Sequence, residues 1–359
     1  MKVVQIVPTI QYGDAIGNAA LALRDILIVM GYDTAIYADG ITLSEEQRHL
    51  VFSTVDLPAL NEDDVLLFHL SNSTFLHDEL PKINCRKIGI YHNVTPAKYF
   101  REYSYLLFRL CARGKREIIK LKDVFDYCLT DSDFNRQDLI SYGYKCPIDV
   151  CPILIPFEDY ELTPSKKVIE KYSDDRTNVL FLGRIAPSKK HEDVIAAFAC
   201  YKRHYDPEAR LFLVGTDQHV EGYRKRLEVY IKHLSVEDVI FTGKVMFDEM
   251  LAYYKIADVF LCMSEHEGFC VPLVESMYFD VPIIAYAGAA VPETLGGSGV
   301  LLSDKDPLVT AGVINKVISD AELKEEILEG QRWRLKDFYY ENVSQQFKKY
   351  LEDFIEGAG

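Results

Sequence analysis

Long hydrophobic runs are what this sequence most clearly lacks. No apolar stretch approaches the ~20 residues of a membrane-spanning helix, and the start, Met1 to Val7, has the character of a strand rather than of a signal peptide. We therefore expect a cytoplasmic protein, and we leave open a peripheral contact with the inner face of a membrane. At 359 residues, 48% hydrophobic and 26% charged, the chain is long enough for two domains that each bury a core.

Basic residues are scarce relative to acidic ones. The chain has 40 Lys and Arg against 55 Asp and Glu, a formal charge of −15, which argues against general nucleic-acid binding. Segment 105–122 is a local exception, because it has helical spacing with an apolar and a basic face. Its cations are Arg109, Arg113, Lys115, Arg116, Lys120 and Lys122. The face could dock on anionic lipid or simply be solvated, and both interpretations stay open.

Cysteine pairs at metal-binding spacing are also lacking. The eight cysteines fall at irregular positions inside apolar segments, without a C-x-x-C pair, and Cys146 and Cys151 are the nearest neighbours. We interpret them as buried, reduced thiols and expect no zinc site.

The first half of the chain indicates a doubly wound parallel sheet. A strand at 3–7 leads into a glycine-containing loop, then a helix from Ala19 to Met30 that ends at Gly31, and then a strand at 34–37. The loop lacks the G-x-G-x-x-G pattern with an acid at the end of the next strand, which disfavours a nicotinamide enzyme.

Two further strands of the first half end in histidine. Residues 65–69 end at His69, and residues 87–92 end at His92. Ligands of open parallel sheets bind at the carboxyl ends of strands, so we expect His92 in a cleft, with a role towards the acceptor or the donor phosphate. For His69 we favour a structural role.

In the second half, basic residues follow a strand at 178–182. Arg184 and Lys189 can together neutralise a diphosphate, since a guanidinium fork and an ammonium would meet at one strand end. Pairing with Glu192 or Asp193 on the surface is the alternative. Strands at 211–214 and 239–243 end at Gly215 and Gly243.

The most informative stretch is Val259 to Met277. A short apolar strand breaks at a polar loop and resumes as a helix with Pro272 near its first position, a corner at which backbone N–H groups bind anions. Glu267 lies in the loop and Glu275 in the helix, where carboxylates can accept hydrogen bonds from sugar hydroxyls. A strand–helix unit with surface glutamates is the alternative.

This stretch resembles a known signature. Glu267-Gly-Phe-Cys-Val-Pro-Leu-Val-Glu275 resembles the E-x7-E motif of retaining GT-B glycosyltransferases, and Ser264 to Glu275 is similar to glycosyltransferase family 4. Gly183-Arg184 with Lys189 resembles that family's G-R-x-x-x-x-K motif, and His92-Asn-Val-Thr-Pro96 resembles a run found in part of the family. The resemblance covers most of the chain, most specifically residues 180–300.

The resemblance implies a GT-B fold, in which two Rossmann-like domains face a central cleft. We expect an acceptor-side domain at 1–156, completed by a C-terminal helix at about 340–359, and a nucleotide-sugar domain at 157–339. It also argues that Asp131-Ser132-Asp133 caps a helix running to Tyr142 and is not a metal site of the GT-A kind.

Site residues follow from the resemblance position by position. Glu275 would hold the ribose, Glu267 the donor sugar, and Arg184 and Lys189 the leaving diphosphate, with His92 as a further catalytic candidate. The remaining donor-side candidates are Gly268, Phe269 and Cys270 at the sugar, Gly13, Asp14 and Gly17 at the glycine loop, and Gly215, Gly243 and Lys244 near the base. No metal and no other cofactor is expected.

The implied activity is retaining transfer of a hexose from a nucleotide-diphosphate sugar to a hydroxyl of a glycan or lipid-linked acceptor. We favour mannose from GDP-mannose, with UDP-sugars second, in the synthesis of cell-surface polysaccharide or lipopolysaccharide. A front-face route, in which the leaving phosphate takes the acceptor proton, is favoured over double displacement with Glu267 as nucleophile. A sugar-nucleotide 2-epimerase and a non-catalytic nucleotide-sugar-binding subunit are the alternatives.

Overall fold

The computed structural model describes residues 1–11, 13–71 and 73–357, and in them the chain forms two compact α/β units. The first unit comprises 1–96, 109–157 and the chain from 337 on, and the second comprises 97–108 and 158–336. Segment 97–108, which we expected in the first domain, groups with the second because its aromatic rings pack there. The ring of Tyr103 lies 5.1 Å from that of Tyr223.

Strands and helices alternate along the chain. The strands are β1 Val3–Gln11, β2 Ile36–Thr42, β3 Val51–Ser53, β4 Val65–Leu70, β5 Arg86–Tyr91, β6 Tyr127–Thr130, β7 Ile148–Val150, β8 Asn178–Leu182, β9 Arg210–Val214, β10 Val239–Gly243, β11 Val259–Cys262, β12 Ile283–Tyr286 and β13 Val300–Leu302. The helices are α1 Ala15–Val29, α2 Glu45–Arg48, α3 Leu76–Glu79, α4 Tyr105–Lys120, α5 Asp133–Ser141, α6 Lys166–Tyr172, α7 His191–His204, α8 Glu221–Leu234, α9 Phe247–Ile256, α10 Val271–Tyr278, α11 Val291–Leu295, α12 Pro307–Ser319, α13 Ala321–Leu335 and α14 Tyr340–Glu356.

The first unit is built on a parallel sheet of order β3-β2-β1-β4-β5-β6-β7. The strand order reverses between β1 and β4, the switch point at which open α/β sheets leave a crevice for ligands. One layer of its core joins Val3, Leu67 and Leu129 of the sheet to Leu23 of α1. The predicted doubly wound sheet is confirmed.

Strand β1 is longer than we predicted, because it continues through Pro8. Its residues Val3 to Ile6 pair with β4, Gln5 and Ile6 pair with β2 as well, and beyond Ile6 the pairing continues with β2 alone. Pro8 therefore stands where β1 has left β4, so its missing N–H costs no bond on that side.

Helix α14 belongs to the first unit. Its buried Val343, Phe347 and Leu351 join the same core layer as Val3 of the sheet. The Gln346 amide donates to the Val150 carbonyl over 2.9 Å, which ties the helix to β7.

The second unit repeats the same winding. Its sheet has the order β10-β9-β8-β11-β12-β13, all parallel, and reverses between β8 and β11. Buried side chains of the central strands, among them Leu180, Leu211, Phe260 and Ile284, fill its core. The strands that we predicted at 178–182 and 239–243 have those bounds.

The basic segment forms helix α4. Arg109, Arg116 and Lys120 are exposed on it. The buried Glu117 accepts from His77 over 2.8 Å and also pairs with Arg113, so part of the helix's positive charge is neutralised. Over the residues described, none of the helices has both the length and the apolar character to cross a bilayer.

Candidate functional site

The loops after β8 and β11 meet at the switch point of the second sheet. Arg184 follows β8 and is exposed, with its guanidinium carbon 5.8 Å from the ring centre of Phe100. The Ser188 carbonyl accepts the backbone N–H of Glu265 over 2.9 Å, which joins the two loops directly. The predicted basic and acidic residues of these loops are therefore brought together on the carboxyl edge of one sheet.

Lys189 and Glu267 form an ion pair between those loops. The Lys189 ammonium contacts Oε2 of Glu267, with 23% of the lysine side chain and 8% of the glutamate side chain exposed. Burial lowers the pKa of Lys189, but the charge and hydrogen bond of Glu267, together with the neighbouring Cys270 and Cys262, raise it more in sum, so the ammonium form is stabilised. The pair places opposite charges in contact within a mostly buried loop.

The Glu267–Cys270 loop is anchored to α11 through its carbonyl groups. The Glu267 carbonyl accepts from the backbone of Ala290 over 3.3 Å, and the Phe269 carbonyl accepts from the Thr294 hydroxyl. Gly268 lies between them. Helix α10 then begins at Val271 with Pro272 in its first turn, as predicted, and Cys270 is its N-cap at a left-handed φ of 76°.

Glu275 is buried in α10 and holds two tyrosine hydroxyls. Tyr160 donates to Oε1 over 2.9 Å, and Tyr254 donates to Oε2 over 2.7 Å. Burial raises the pKa of Glu275, and the two tyrosine hydrogen bonds oppose that rise. Sequence reasoning missed both tyrosines, since a distance of 115 residues in the chain, as for Tyr160, leaves no local signal.

Three glycines line the neighbouring strand ends β8, β9 and β10. A Cβ on Gly215 would lie 2.1 Å from the Gly183 carbonyl oxygen, and Gly215 has a φ of +149°. The Gly215 N–H donates to the Gly243 carbonyl over 3.2 Å. Gly215 is thus required by the packing of the protein backbone, and the exposed Lys244 follows at the same edge.

Two further lysines lie near this edge, and sequence reasoning missed Lys305. Lys305 bridges Asp193 and Glu265 over 3.0 and 3.1 Å. Lys190 adopts a left-handed φ of 52° and lies 3.5 Å from Glu265. A left-handed φ is one that glycine adopts without steric cost and that a side chain disfavours.

In the first unit, a hydrogen-bonded chain links His69 to His92. The Gln5 amide donates to Ala20, so its carbonyl oxygen accepts from Nε2 of His69 over 3.0 Å. Nδ1 of His69 then faces Nε2 of His92 over 2.9 Å. Nδ1 of His92 faces the Asp131 carboxylate over 2.9 Å.

The order of donors along this chain fixes where the protons lie. Burial lowers the pKa of His69 well below its usual range, so this ring is neutral and accepts at Nδ1. His92 consequently donates at Nε2 to His69, and its Nδ1 faces the Asp131 carboxylate. His69 has the structural role that we expected, and both ring nitrogens of His92 are engaged within the unit.

The glycine-containing loop that follows β1 lies at the switch point of the first sheet. Asp14 caps α1 by accepting the N–H of Gly17 over 3.3 Å. Burial raises the pKa of Asp14, while the bond from Gly17 and the charge of His92 oppose this. Gly13 has a left-handed φ of 75° with open space around it, and Gly17 packs closely on Gln11 of β1.

Two groups of side chains bear on metal binding. Ser132 caps α5 by accepting the N–H of Asn135 over 3.2 Å, so the predicted cap is confirmed, and Asp131 is engaged by His92. The fold also brings together Cys262, Glu267 and Cys270, whose ligand atoms lie within 4.8 Å of one another. Sequence spacing gave no sign of this second group, because C-x7-C matches no zinc motif.

The two Rossmann-like units define the GT-B class of fold. The Anabaena protein Alr3699/HepE, solved in complex with UDP and glucose, superposes with a TM-score of 0.75 at 18% identity, over 98% of this chain and 100% of that one. Sucrose-phosphate synthase from Thermosynechococcus elongatus gives a TM-score of 0.75 at 15% identity, over 99% and 100%. These likenesses establish the fold.

Sequence comparison points to the same class. Residues 164–332, slightly less than half of the chain, match the family model described as glycosyl transferases group 1. An α-1,4-N-acetyl-D-galactosaminyltransferase of Campylobacter jejuni is 27% identical over 49% of this chain and 48% of its own length. The serotype-specific mannosyltransferase WbdA of Escherichia coli is 26% identical over 86% of this chain and 36% of its own length. The chain thus spans half or less of these curated relatives, and together the matches support a GT-B glycosyltransferase.

Proposed function

We propose that this chain is a retaining, metal-independent hexosyltransferase that takes its sugar from a nucleotide-diphosphate donor. The main support for this proposal is the Lys189–Glu267 ion pair at the switch point of the second sheet. The pair lies inside the segment that matches the group 1 family model. An ammonium and a carboxylate held together there offer one group for a diphosphate and one for sugar hydroxyls.

Arg184 and Lys189 would neutralise the leaving diphosphate. Arg184 is exposed at the end of β8, and the ammonium of Lys189 is kept charged by Glu267. The N-terminal end of α10 adds its dipole to the same edge. Preorganised donors of this kind are often the largest catalytic contribution, and a single one is commonly worth about 3 kcal/mol.

The sugar and ribose would be held by the two glutamates. Glu267, with the backbone of Gly268, Phe269 and Cys270, is assigned to the donor sugar. Glu275 is assigned to the ribose, since a carboxylate has about four acceptor positions and the two tyrosine hydroxyls leave room for ribose hydroxyls. We assign the base to the edge formed by Gly215, Gly243 and Lys244.

Acceptor recognition is assigned to the first unit. Its switch point carries Gly13, Asp14, Gly17 and His92 near the ends of β1 and β5. Because both nitrogens of His92 are engaged, we assign it a positioning role, and we keep Gly13, Asp14 and Gly17 as candidates on the side of the donor.

For the chemical step we favour the front-face route. The leaving phosphate oxygen would take the acceptor proton, and Glu267 would orient the sugar. Glu267 is paired with Lys189 through Oε2, an arrangement that suits an orienting carboxylate better than a nucleophile. Substantial residual transfer by Glu267→Gln would exclude the covalent role.

GDP-mannose remains the donor that we favour, with mannose as the transferred sugar, and UDP-sugars are the second choice. The mannosyltransferase WbdA supports the first, and the neighbour solved with UDP and glucose supports the second. We place the reaction in cell-surface polysaccharide or lipopolysaccharide synthesis, on a glycan or lipid-linked acceptor. The exposed basic residues of α4 would then make a peripheral membrane contact at the cytoplasmic face.

The test is a panel of GDP-, UDP- and dTDP-sugars followed by transfer assays. One donor should raise the apparent unfolding temperature by mass action. Release of nucleotide should then depend on an acceptor, and the product should keep the donor's anomeric configuration without added metal. Acceptor-independent release of nucleotide would instead identify an epimerase, and failure of the whole panel would reject the proposal.

A further inference from the structure

Two cysteines and one glutamate meet at the start of α10. Cys262 is the last residue of β11, and Cys270 is the N-cap of α10. Both Sγ atoms and one carboxylate oxygen of Glu267 lie within 4.8 Å of one another, and all three residues are buried.

This donor set has the composition of a zinc site. Thiolates and a carboxylate bind Zn²⁺ tetrahedrally, and three protein ligands leave a fourth position for water. With Zn–S bonds of about 2.3 Å, the sulfur atoms of such a site are about 3.8 Å apart. Small side-chain rotations from the present separations would reach that geometry.

The surrounding charge favours exchange of a cation for protons. The carboxylate of Glu267 is already balanced by the Lys189 ammonium, which contacts Oε2. Entry of Zn²⁺ with loss of one proton from each thiol turns two neutral thiols into two thiolates. The cluster is therefore neutral before and after binding, and no net charge is buried.

Cys270 adopts a backbone conformation that is unfavourable for a residue with a side chain. Cys270 has a φ of 76°, a left-handed conformation that glycine adopts without steric cost and that a side chain disfavours. This conformation fits a cysteine whose sulfur has a function.

We propose that Cys262, Cys270 and Glu267 form a binding site for a thiophilic divalent cation, with Zn²⁺ as its natural probe. Bound metal would occupy the carboxylate that we assign to the donor sugar, so the cation would inhibit transfer. The inhibition rests on the proposed function, whereas the binding does not.

Titration with Co²⁺ under reducing conditions tests the binding without an activity assay. We expect one equivalent to give thiolate-to-cobalt charge-transfer absorption with the visible bands of a tetrahedral ion, and Zn²⁺ to displace it. Cys262→Ser and Cys270→Gly should each abolish the charge-transfer band. Glycine suits the left-handed φ at 270, so that variant removes the sulfur while the fold is retained.

A second thiol pair provides the matched control. Cys128 and Cys146 of the first unit have their sulfur atoms 3.7 Å apart. Cys146→Ser should leave the cobalt spectrum unchanged. A wild-type protein without the charge-transfer band, a band that survives in Cys270→Gly, or a band lost in Cys146→Ser would each overturn the proposal.

The inhibition has a separate readout. Zn²⁺ should suppress transfer in the wild type, and a chelator should restore it. Cys262→Ser should lose less than twofold of its own transfer rate at the same Zn²⁺ concentration. Equal inhibition of both proteins would place the inhibitory ion elsewhere, and a protein that binds Co²⁺ but no sugar nucleotide would reject the proposed function and leave the metal site standing.

Discussion

The Lys189–Glu267 pair can be measured by a double-mutant cycle. Lys189→Met removes the ammonium and leaves a carboxylate whose side chain is only 8% exposed. Removing one partner of a buried ion pair lowers the free energy of unfolding by about 3–5 kcal/mol. Because 23% of the Lys189 side chain is exposed, we expect a loss at the low end of this range, about 3 kcal/mol.

Glu267→Gln should lower the free energy of unfolding by less than Lys189→Met does, about 1.5–3 kcal/mol, because the amide oxygen of glutamine still accepts a hydrogen bond from Lys189. The double variant should lose less than the sum of the two, with a coupling free energy of about 1–3 kcal/mol. The change in unfolding free energy can be followed in urea by the fluorescence of the single tryptophan, Trp333, which lies in α13 of the second unit.

Lys232→Met is the control, because this lysine is exposed on α8, and it should change stability by less than about 0.5 kcal/mol. The reasoning about the pair would be refuted if Lys189→Met behaved like this control. Additive losses in the double variant, without coupling, would refute it as well.

Three further predictions concern groups held by burial or close packing. The pKa of Glu275 is already raised in the wild type, and Tyr254→Phe removes a bond that lowers it. The folded variant should therefore hold its proton to higher pH, and its stability should fall above pH 4.5 by about 1.5–3 kcal/mol more than that of the wild type at neutral pH. Tyr253→Phe on the same helix should show no fall beyond that of the wild type. Asp131→Asn replaces the carboxylate that Nδ1 of His92 faces, so the ¹⁵N NMR signal of that nitrogen should shift, and an unchanged spectrum would contradict the contact described. Gly215→Ala should lower the free energy of unfolding by at least about 2 kcal/mol, because the new Cβ would lie 2.1 Å from a carbonyl oxygen. Gly222→Ala in α8 is the control: its Cβ would meet nothing within 4 Å, so the free energy of unfolding should rise by about 0.5–1 kcal/mol.

Patterns confined to neighbouring residues were enough to predict much of the fold. Strand bounds at 178–182 and 239–243 followed from apolar runs between turns, and the cap at Ser132 followed from its place before a helix. The three-residue β3 was missed because it is too short for a recognisable alternation.

Contacts between distant segments could not be predicted in this way. The E-x7-E spacing marked Glu275, yet nothing near it in sequence indicated that Tyr160 and Tyr254 would occupy its two oxygens. The His69–His92 contact depends on how β4 and β5 pair, and register is a property of the assembled sheet. The grouping of 97–108 with the second unit likewise follows from aromatic packing that no local pattern indicates.

The central claim is that the switch-point edge of the second sheet binds a sugar nucleotide through Lys189. Calorimetric titration of GDP-mannose and the matching UDP-sugars into wild type, Lys189→Met and Lys232→Met tests it most directly. We predict a saturable site for one donor in wild type and Lys232→Met, with Kd weakened at least about tenfold in Lys189→Met, which corresponds to about 1.4 kcal/mol. Equal affinity in all three proteins, or no binding of any donor by folded wild type, would contradict the account.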